Sequence, residues 1–343
     1  MRIANIMAGA SMGGAETFFE RISIALHRAG DPVLPVIRRE ADRAARLRAG
    51  GLAPVELGFG GPLDLITAPR LGKVLREFRP DIAMAWMNRA ARFARPGPWV
   101  LVGRLGGYYD LSYYRRCDHL VANTKDLVRW IVGQGWDARR VHHLPNFAPD
   151  FAGAEPAPLP APKGAARLLA MGRLHANKGF DTLVRAVALV PGAHLSIAGE
   201  GPEHAALLTL ARSHGVEDRV AFLGWRRDTG ALLAGCDIFV MSSRHEPLGN
   251  VVLEAFSAGV PVVATATAGP RELIAHGETG LIVPVDDPDG MARAIKALIA
   301  DPRHARSLAR EARAVFEAHH AEAPVVARWR ALLPSLQPHR TGR

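Results

Sequence analysis

The sequence contains few of the features that mark secreted or membrane-spanning proteins. Its 343 residues include two cysteines, Cys117 and Cys236, which lie in different halves of the chain and cannot form a disulfide framework. The longest run without a charged residue, Ala255–Pro270, is shorter than a membrane-spanning helix requires. Gly13 and Gly14 interrupt the N-terminal apolar segment before the core of a signal peptide could form. We therefore expect a soluble, cytoplasmic protein.

The motifs of several cofactor-dependent enzyme classes are also absent. The first glycine-rich loop does not follow G-x-G-x-x-G, and Ile37, at the end of the second predicted strand, is followed by arginines instead of the carboxylate that would bind an NAD ribose. No G-x-x-x-x-G-K-[ST] element is present, which argues against a P-loop ATPase or GTPase. The pairs His142-His143 and His319-His320 lack metal-ligand spacing. We expect no cofactor and no metal.

Basic residues are in excess, and the excess lies in the first half of the chain. The formal net charge is +10; residues 1–150 hold 22 basic and 14 acidic side chains, and residues 151–343 hold 21 and 19. Such asymmetry indicates an anionic partner for the first half: nucleic acid, a phospholipid surface or an acidic substrate. The alternative is an arginine-rich surface that is simply solvated.

Short aliphatic runs alternate with amphipathic stretches along the whole chain, beginning with a predicted strand at Arg2–Met7 and a helix at Ala15–Ala29. This alternation predicts an α/β protein with two Rossmann-like, doubly wound parallel-sheet domains that face a central cleft. We place an N-terminal, acceptor-binding domain at residues 1–147, a proline-rich linker at 148–165 and a C-terminal, donor-binding domain at 166–320. A final helix at 321–336 is expected to pack back toward the N-terminal domain.

Three glycine-containing segments follow predicted strands and precede predicted helices. The first contains Gly13 and Gly14, whose backbone N–H groups could meet an anion at a helix N-terminus. A tight turn that needs a positive φ angle would explain the same glycines. In the second segment, Arg173 and Lys178 flank a short loop, where two cations can neutralise a diphosphate without a metal. An ordinary charged surface loop is the alternative there.

The third segment, Ser242–Glu254, carries two carboxylates. Glu246 lies in the loop after a strand and Glu254 about one turn inside the next helix, which Gly249 and Asn250 open. Carboxylates beside an anionic ligand are repulsive unless they accept hydrogen bonds from hydroxyl groups, and a nucleotide sugar offers such groups on its ribose and on its hexose. The alternative is that Glu246 caps a helix and Glu254 lies on a helix surface.

Together these segments resemble the GT-B-fold retaining glycosyltransferases of family 4, the glycosyl transferases group 1. Glu246 and Glu254 form the E-x7-E signature of that family. The other matching segments are Gly13-Gly14, Gly172–Gly179, Ala198–Pro202, Phe222–Gly224, Glu254–Pro261 and Gly280–Pro284. Three more, Trp86–Ala91, Arg104–Tyr109 and Cys117–Leu120, resemble a proteobacterial subgroup tied to envelope polysaccharide or lipopolysaccharide-core assembly.

The resemblance implies roles for individual residues. Arg173 and Lys178 would hold the donor diphosphate, and Glu254 would bind the ribose diol. Glu246, with the backbone around Gly249 and Asn250, would grip the donor sugar, while Gly13 and Gly14 would face the diphosphate and acceptor from the other domain. The stretch Trp225-Arg226 would lie near the base. The family is metal-independent and retains the anomeric configuration.

The residues expected to bind the acceptor match the family pattern less closely than those expected to bind the donor. Many relatives have a histidine just after the strand that corresponds to Ile82–Trp86, and this chain has none there. Asp110 is then the nearest carboxylate that could position or deprotonate an acceptor hydroxyl; a loop-capping role is the alternative. Arg89, Arg104, Tyr108 and Tyr109 belong to an arginine- and tyrosine-rich stretch that would suit a sugar ring with a phosphate, a bilayer surface or single-stranded nucleic acid. The alternative is a buried aromatic cluster with solvated arginines.

We therefore expect a retaining hexosyltransferase that moves a sugar from a nucleotide-diphosphate donor to an envelope glycan or glycolipid, lipopolysaccharide core or a related polysaccharide. The expected partners are the nucleotide sugar, an anionic glycan or lipid-linked acceptor and peripherally the cytoplasmic face of the inner membrane, without nucleic acid. The alternatives are a nucleotide-sugar epimerase of the same fold, or a non-catalytic protein that binds nucleotide sugar or nucleic acid.

Overall fold

The computed structural model describes residues 1–10, 13–61 and 63–339 and divides the chain into two units. Unit 1 comprises Met1–Phe147 together with the C-terminal residues from Glu322 onward, and unit 2 comprises Ala148–Ala321. The chain therefore leaves unit 1 after Phe147, at the end of the N-terminal domain predicted from the sequence, and re-enters it with its last helix.

Unit 1 contains, in its described residues, a parallel sheet of seven strands in the order β3-β2-β1-β4-β5-β6-β7. The strands are β1 Ile3–Met7, β2 Val33–Arg38, β3 Val55–Leu57, β4 Ile82–Trp86, β5 Val100–Leu105, β6 His119–Ala122 and β7 Val141–His143. Its helices are α1 Gly14–Arg28, α2 Ala41–Ala49, α3 Thr67–Phe78, α4 Met87–Phe93, α5 Lys125–Gly133 and, from the C-terminus, α13 Glu322–Leu332. All five residues of β1 and of β4 are buried, because helices cover both faces of the sheet.

Helix α13 completes the core of unit 1. Trp329 is fully buried and stacks on Trp86 at the end of β4, with ring centroids 6.1 Å apart and planes 9° from parallel. Phe18 of α1 contacts both indoles. The C-terminal helix thus fills space between α1 and the sheet that the first 147 residues leave open.

Unit 2 contains, within the part of the chain that the structure describes, a parallel sheet of six strands in the order β10-β9-β8-β11-β12-β13. The strands are β8 Ala166–Met171, β9 Ala193–Ala198, β10 Val220–Phe222, β11 Ile238–Met241, β12 Val262–Thr265 and β13 Leu281–Val283. The helices are α6 Phe180–Ala188, α7 His204–Ser213, α8 Thr229–Gly235, α9 Asn250–Ser257, α10 Ala268–Leu273, α11 Pro288–Ala300 and α12 Pro302–His319. The strand order reverses between β8 and β11, and a crevice opens at the carboxyl ends of strands at such a reversal.

The proline-rich segment 148–165 has no helix or strand, but its first part, as far as Leu159, packs on the rest of unit 2. The N–H of Ala157 donates to the carbonyl oxygen of Ala231, at 2.8 Å. The ring of Phe151 lies where a side chain at Gly230 would be, because the two glycines of α8 leave room for this segment. The segment predicted as a linker is therefore part of the surface of unit 2.

None of the described helices combines the length and the apolar character needed to cross a bilayer.

Candidate functional site

The chain segments after β8 and β11 meet at the carboxyl edge of the unit 2 sheet. Because β8 and β11 are adjacent and parallel, the loop that starts at Gly172 lies beside the loop that starts at Ser242. The Ser242 hydroxyl donates to the carbonyl oxygen of Lys178 at 2.9 Å, and the N–H of Arg244 donates to the carbonyl oxygen of Asn177 at 2.8 Å. The two loops are thereby held as one surface.

Lys178 and Glu246 form an ion pair in this crevice, with 2.5 Å between Nζ and Oε2. Their side chains are 28% and 15% exposed, so the pair is partly removed from water but open to a ligand. The backbone of Glu246 is fixed as well, since its carbonyl oxygen accepts a hydrogen bond from the N–H of Gly269 at the start of α10. The predicted diphosphate cation and the predicted sugar-binding carboxylate are therefore direct neighbours.

Arg173 lies at the same edge, just after β8. Its side chain is exposed and makes no hydrogen bond or ion pair with any described residue. Gly172, at φ +150°, lies against the side-chain carbons of Lys178, the nearest of which is 3.4 Å from the position that a Cβ would occupy. The loop after β8 thus carries Lys178, which is paired, and Arg173, which has no partner among the described residues.

Helix α9 begins at the crevice with Gly249 as its N-cap, at φ +86°, a conformation that favours glycine. A glycine has no side chain with which to cap the first turn, the N–H of Val252 donates to the carbonyl oxygen of Gly249, and the Glu246 side chain lies next to Gly249. Asn250 and Glu254, on the first and second turns, are both half-buried. The four predicted residues of this segment therefore lie on one loop and the first turns of one helix.

Arg244 connects three loops of this edge, a role that sequence reasoning missed. Its guanidinium donates to both carboxylate oxygens of Asp181 at 2.8 Å, to the carbonyl oxygen of Ala176 at 2.7 Å, and lies 2.7 Å from Asp286 after β13. The hydrogen bond to Asp181 raises the pKa of Arg244. Burial acts to raise the pKa of Asp181, but the hydrogen bonds from Arg244 and Arg185 outweigh it and the pKa is lowered. The position of Arg244 two residues before Glu246 was the available sequence clue.

The loops after β8, β9 and β10 are in backbone contact through glycines. A Cβ on Gly199 would lie 1.8 Å from the carbonyl oxygen of Gly172, and the N–H of Gly199 donates to the carbonyl oxygen of Gly224. Trp225, the next residue, is 49% exposed, and its N–H donates to Glu200 at 3.3 Å. Arg226 pairs with Asp228, with 2.8 Å between Nε and Oδ1. Trp225 therefore offers an exposed ring at the predicted base position.

In unit 1, the predicted anion-binding loop contains a carboxylate of its own helix. Glu16, on the first turn of α1, is buried and accepts a hydrogen bond from the N–H of Ala10 at 2.9 Å. A Cβ on Gly9 or Gly13 would lie 2.3 Å from the Glu16 carboxylate. Gly13 has φ 167°, which is ordinary extended backbone, so the tight-turn interpretation does not hold. The glycines make room for Glu16, a residue that sequence reasoning did not single out.

Arg104, predicted to bind the acceptor, lies in the interior of unit 1. It is 2% exposed, donates to the carbonyl oxygen of Leu105 and to Asn146, and its guanidinium carbon lies 4.9 Å from the Trp86 ring centre. Burial lowers the pKa of Arg104 to about 10. The sequence prediction required a surface arginine, and the structure differs because β5 carries this side chain into the aromatic core.

The other predicted acceptor residues are closer to the surface. Arg89 is exposed, and its side chain has no partner among the described residues. Tyr108 is half-buried, donates to Asp126 at 2.5 Å and packs edge-on against Trp130. Tyr109 is also half-buried, and burial raises its pKa. Tyr108 and Tyr109 thus offer part of their rings to a ligand.

Asp110 caps the short 3₁₀ turn Leu111–Tyr114. Its carboxylate accepts the N–H of Ser112 at 2.9 Å, and this hydrogen bond lowers the pKa of Asp110. An exposed carboxylate with a lowered pKa is a poor proton acceptor, so the geometry favours the capping interpretation over the catalytic one.

No cluster of three or more metal-ligating side chains occurs among the described residues. Cys117 and Cys236 are both free and buried, and burial raises the pKa of each thiol to about 12.

Comparison with known proteins gives a consistent result for both units. Residues 153–315 match the family model described as Glycosyl transferases group 1, and residues 12–149 match Glycosyltransferase Family 4. The chain is 38% identical over 300 residues to the lipopolysaccharide core biosynthesis glycosyltransferase LpsE of Rhizobium meliloti (strain 1021), covering 84% of this chain and 86% of that protein. It is 35% identical to LpsD of the same organism, covering 88% and 89%.

Solved structures show the same two-domain fold. Anabaena HepE in complex with UDP-glucose matches with a TM-score of 0.84 at 21% identity, covering 98% of this chain and 100% of that chain. WaaG, a glycosyltransferase involved in lipopolysaccharide biosynthesis, matches with a TM-score of 0.73 at 17% identity, covering 98% and 100%. The predicted fold class, two Rossmann-like α/β domains of the GT-B type, is confirmed.

Proposed function

The chain belongs to the family 4 glycosyltransferases, the glycosyl transferases group 1, and we propose that it moves a hexose-type unit from a nucleotide-diphosphate sugar to an anionic acceptor of the lipopolysaccharide-core type. The proposed transfer retains the anomeric configuration and uses neither a metal nor a cofactor. The observation that carries this proposal is the Lys178–Glu246 pair at the β8/β11 crevice, with the unpaired cation Arg173 beside it.

A nucleotide-diphosphate sugar carries both an anion and hydroxyl groups, so it can bind both members of the ion pair. Its diphosphate binds Lys178, which then leaves Glu246, and it also binds Arg173. Its sugar hydroxyls donate to the Glu246 carboxylate in place of Lys178. Because the ion pair is partly desolvated, separating its two members is favourable only for a ligand that replaces both partners. The donor meets this condition, whereas a plain phosphate or a neutral sugar does not.

The start of α9 serves the rest of the donor. The first-turn N–H groups beside Gly249 and Asn250 meet oxygens between the diphosphate and the sugar, where the helix N-terminus favours negative charge. Glu254, about one turn further on, accepts hydrogen bonds from the ribose diol. The exposed ring of Trp225 lies in the loop assigned to the base.

In the proposed reaction, the bond between the anomeric carbon and the diphosphate oxygen breaks while the acceptor oxygen bonds to the same face of that carbon. The negative charge that develops on the diphosphate is stabilised by Arg173 and Lys178, which is the main catalytic contribution of the protein. Asp110 is engaged as a cap with a lowered pKa. We therefore assign the proton of the acceptor hydroxyl to the departing diphosphate, whose oxygen lies on the attacked face.

The acceptor assignment rests on the relatives and on the charge of unit 1. LpsE and LpsD are described as lipopolysaccharide core biosynthesis glycosyltransferases. The first 150 residues hold 22 basic and 14 acidic side chains. Arg89, with the partly exposed rings of Tyr108 and Tyr109, suits a phosphorylated glycan. Such an acceptor is built on lipid, so we propose a cytoplasmic enzyme in peripheral contact with the inner membrane.

Incubation with a panel of UDP-, GDP- and ADP-sugars and a truncated lipopolysaccharide core tests the proposal. We expect transfer from one donor, with the product in the anomeric configuration of the donor by nuclear magnetic resonance and with no loss of rate after treatment with a chelator. Product formation without any acceptor would indicate the epimerase alternative. Absence of both transfer and nucleotide release with every donor would contradict the proposed function.

Substitutions in the crevice test the assigned roles. We expect Lys178→Met to lower kcat by on the order of 100- to 1,000-fold, because it removes a cation from the departing diphosphate. Lys296→Met, on the exposed face of α11, is the matched control and should leave kcat unchanged. Glu254→Gln should raise KM for the donor and reduce the donor-induced rise in Tm, because an amide oxygen is a weaker acceptor for the ribose diol.

A further inference from the structure

The loop between β3 and α3 carries the three most exposed large apolar side chains of the described residues. Leu63, Leu65 and Ile66 are 92%, 82% and 63% exposed, whereas the next, Trp225, is 49% exposed. Three such side chains within four residues form an exposed apolar patch, which gains nothing from water or from a polar glycan. Their exposure therefore needs an apolar partner.

The loop is held in this orientation from inside by Asp64. One oxygen of its carboxylate accepts the N–H groups of Ile66, at 3.1 Å, and of Thr67, at 2.9 Å. The other accepts the N–H of Gly60 and the Thr67 hydroxyl, both at 2.6 Å. These hydrogen bonds lower the pKa of Asp64 to about 2, with the bond from the Thr67 hydroxyl contributing most. The one acidic side chain of the loop therefore faces the helix start, and the apolar side chains face outward.

The loop has buried anchors on both sides. Phe59 is fully buried, stands edge-on to the Phe93 ring at 5.7 Å between centroids, and donates its N–H to the Thr67 hydroxyl. Thr67 itself is 2% exposed at the start of α3. The outward position of Leu63, Leu65 and Ile66 thus follows from a hydrogen-bonded and packed turn.

The same edge of unit 1 is basic. Arginines with exposed or half-buried side chains lie at the end of β2 and just after β2 and β4; they are Arg38, Arg39, Arg89 and Arg92. The carboxylates of Glu40, Asp64 and Asp110 at this edge are engaged as caps by backbone N–H groups. Because the strands are parallel, all these loops lie at the carboxyl edge with the 63–66 loop. Positive charge therefore lies at the same edge of the sheet as the apolar side chains.

We propose that the 63–66 loop inserts into an anionic lipid bilayer and that the arginine-rich edge of unit 1 binds the lipid headgroups. Apolar side chains that enter the acyl boundary beside a cluster of arginines at the headgroup level are the combination that holds a protein on an anionic membrane surface. The inference rests on the proposed function, since a lipid-linked acceptor brings the enzyme to a bilayer. The inference identifies the side chains that enter that bilayer.

A second copy of the chain is a less suitable occupant of this surface. A symmetric dimer through the loop would bring two identical arginine-rich edges together, and their repulsion would oppose association. A bilayer with anionic headgroups instead complements both the charge and the apolar side chains.

The test compares two matched double variants in a vesicle flotation assay. Leu63→Ser/Leu65→Ser removes apolar surface from the loop, and Leu189→Ser/Ile299→Ser removes it from exposed positions of unit 2. With vesicles of equal parts phosphatidylcholine and phosphatidylglycerol, we expect the loop variant to bind at least about tenfold more weakly than the wild type. The unit 2 variant should bind like the wild type, and vesicles of phosphatidylcholine alone should bind all three weakly.

A fluorescent label reads insertion directly. The native thiols are buried with raised pKa values, so an environment-sensitive dye will react selectively with the new thiol of Leu65→Cys. We expect a blue-shifted emission on addition of anionic vesicles, and no shift for the same dye on Leu189→Cys.

Undiminished flotation of the loop variant, or an unchanged emission from the label at position 65, would overturn the proposal. A loop variant that loses self-association instead of vesicle binding would assign the surface to a second copy. Transfer to a water-soluble, deacylated acceptor separates this inference from the proposed function. The loop variant should retain that activity, whereas a wild type that floats but never transfers sugar would contradict the proposed function alone.

Discussion

Arg244 and Arg104 both lie near the carboxyl ends of strands, and their surroundings give them different roles. Arg244 donates to Asp181 and lies within ion-pair distance of Asp286, so one planar guanidinium fixes the loops after β8, β11 and β13. Arg104 has no carboxylate partner among the described residues and is held by Asn146, a backbone carbonyl and two aromatic rings. Residue type alone predicted neither environment.

We expect Arg244→Lys to raise KM for the donor and lower kcat/KM by about 10- to 100-fold. A lysine has a single compact ammonium group and cannot bridge two carboxylates and a backbone carbonyl, so the Lys178 and Glu246 loops lose their fixed spacing. Steady-state kinetics with donor at varied concentration measures the effect.

Arg185→Lys is the control, because Arg185 also pairs with Asp181 but, among the described residues, makes no hydrogen bond or ion pair with the loop after β11. If kcat/KM fell as much in this control as in Arg244→Lys, neutralisation of Asp181 would explain the effect, and the connection of the loops by Arg244 would not.

At the scale of elements, the loops of unit 2 are set by close backbone contact. Gly199 follows β9 at φ +153°, and a Cβ there would lie 1.8 Å from the carbonyl oxygen of Gly172 after β8. A real side chain cannot occupy that space, so the loop carrying Arg173 and Lys178 would have to move.

Gly199→Ala is therefore expected to destabilise the protein by about 2–4 kcal/mol and to raise KM for the donor. Gly192→Ala, at φ +76° but with open space around the added Cβ, should cost about 1 kcal/mol and leave KM unchanged. Urea unfolding and donor titration measure both quantities. Equal effects of the two substitutions would mean that backbone strain, and not the contact with Gly172, is responsible.

The last two strands of the unit 1 sheet carry a pair of histidines. Nε2 of His142 lies 3.1 Å from Nδ1 of His119, whose own Nε2 lies 2.9 Å from the carbonyl oxygen of Gln337. Since that carbonyl oxygen only accepts, a neutral His119 carries its proton on Nε2 and its Nδ1 accepts from His142. Burial, together with neighbouring His119, lowers the pKa of His142.

Stability should therefore decline in mildly acidic solution. A lowered pKa means that the unfolded chain binds the proton more readily, so the stabilisation from neutral His142 is present above its ordinary pKa of 6.5 and is lost as the pH falls below that value. We expect the urea midpoint of the wild type to fall more between pH 7.5 and pH 5.5 than that of His142→Gln. His194→Gln, in β9, should retain the full pH dependence.

The elements that the sequence predicted are defined by their own residues, whereas those that it missed depend on contacts with neighbouring elements. Strands β1 and β4 are apolar runs between turns, and they lie at Ile3–Met7 and Ile82–Trp86, within one residue of where the sequence placed them. Helix α2 and strand β3 were missed, because α2 is rich in arginine and β3 is only three residues long, with Glu56 in the middle and Leu57 alone buried. Their structure depends on the neighbouring strand and helix.

At the scale of the whole molecule, each unit has its own sheet and core, and the chain enters unit 1 twice. The second entry places Val325 and Trp329 among residues of α1 and β4 that are about 300 and 240 positions earlier in the sequence. Unit 1 is thus incomplete without the last helix, whereas unit 2 is continuous in sequence.

Trp329→Ala is expected to destabilise unit 1 by about 3–5 kcal/mol, because it leaves a cavity against Trp86 and Phe18. Hydrogen exchange measured by mass spectrometry should show lost protection in peptides of β1, β4 and α1, with the peptides of β8 and β11 unchanged. Trp225→Ala, an exposed position, should alter neither set. Loss of protection in both units would contradict the independence of their cores.

The sequence by itself determined the α/β class and the two parallel sheets, since these depend on local periodicity. It also predicted a domain boundary after residue 147 and a donor site in the segments that carry Arg173, Lys178, Glu246 and Glu254, from composition and short spacings. The tertiary structure decided which side chains are in contact with each other. Lys178 and Glu246 are 68 positions apart and meet because β8 and β11 are adjacent. Arg104 is a core residue because the rings of Phe18 and Trp86 pack on its guanidinium, and pairing and burial of this kind depend on the whole packed domain.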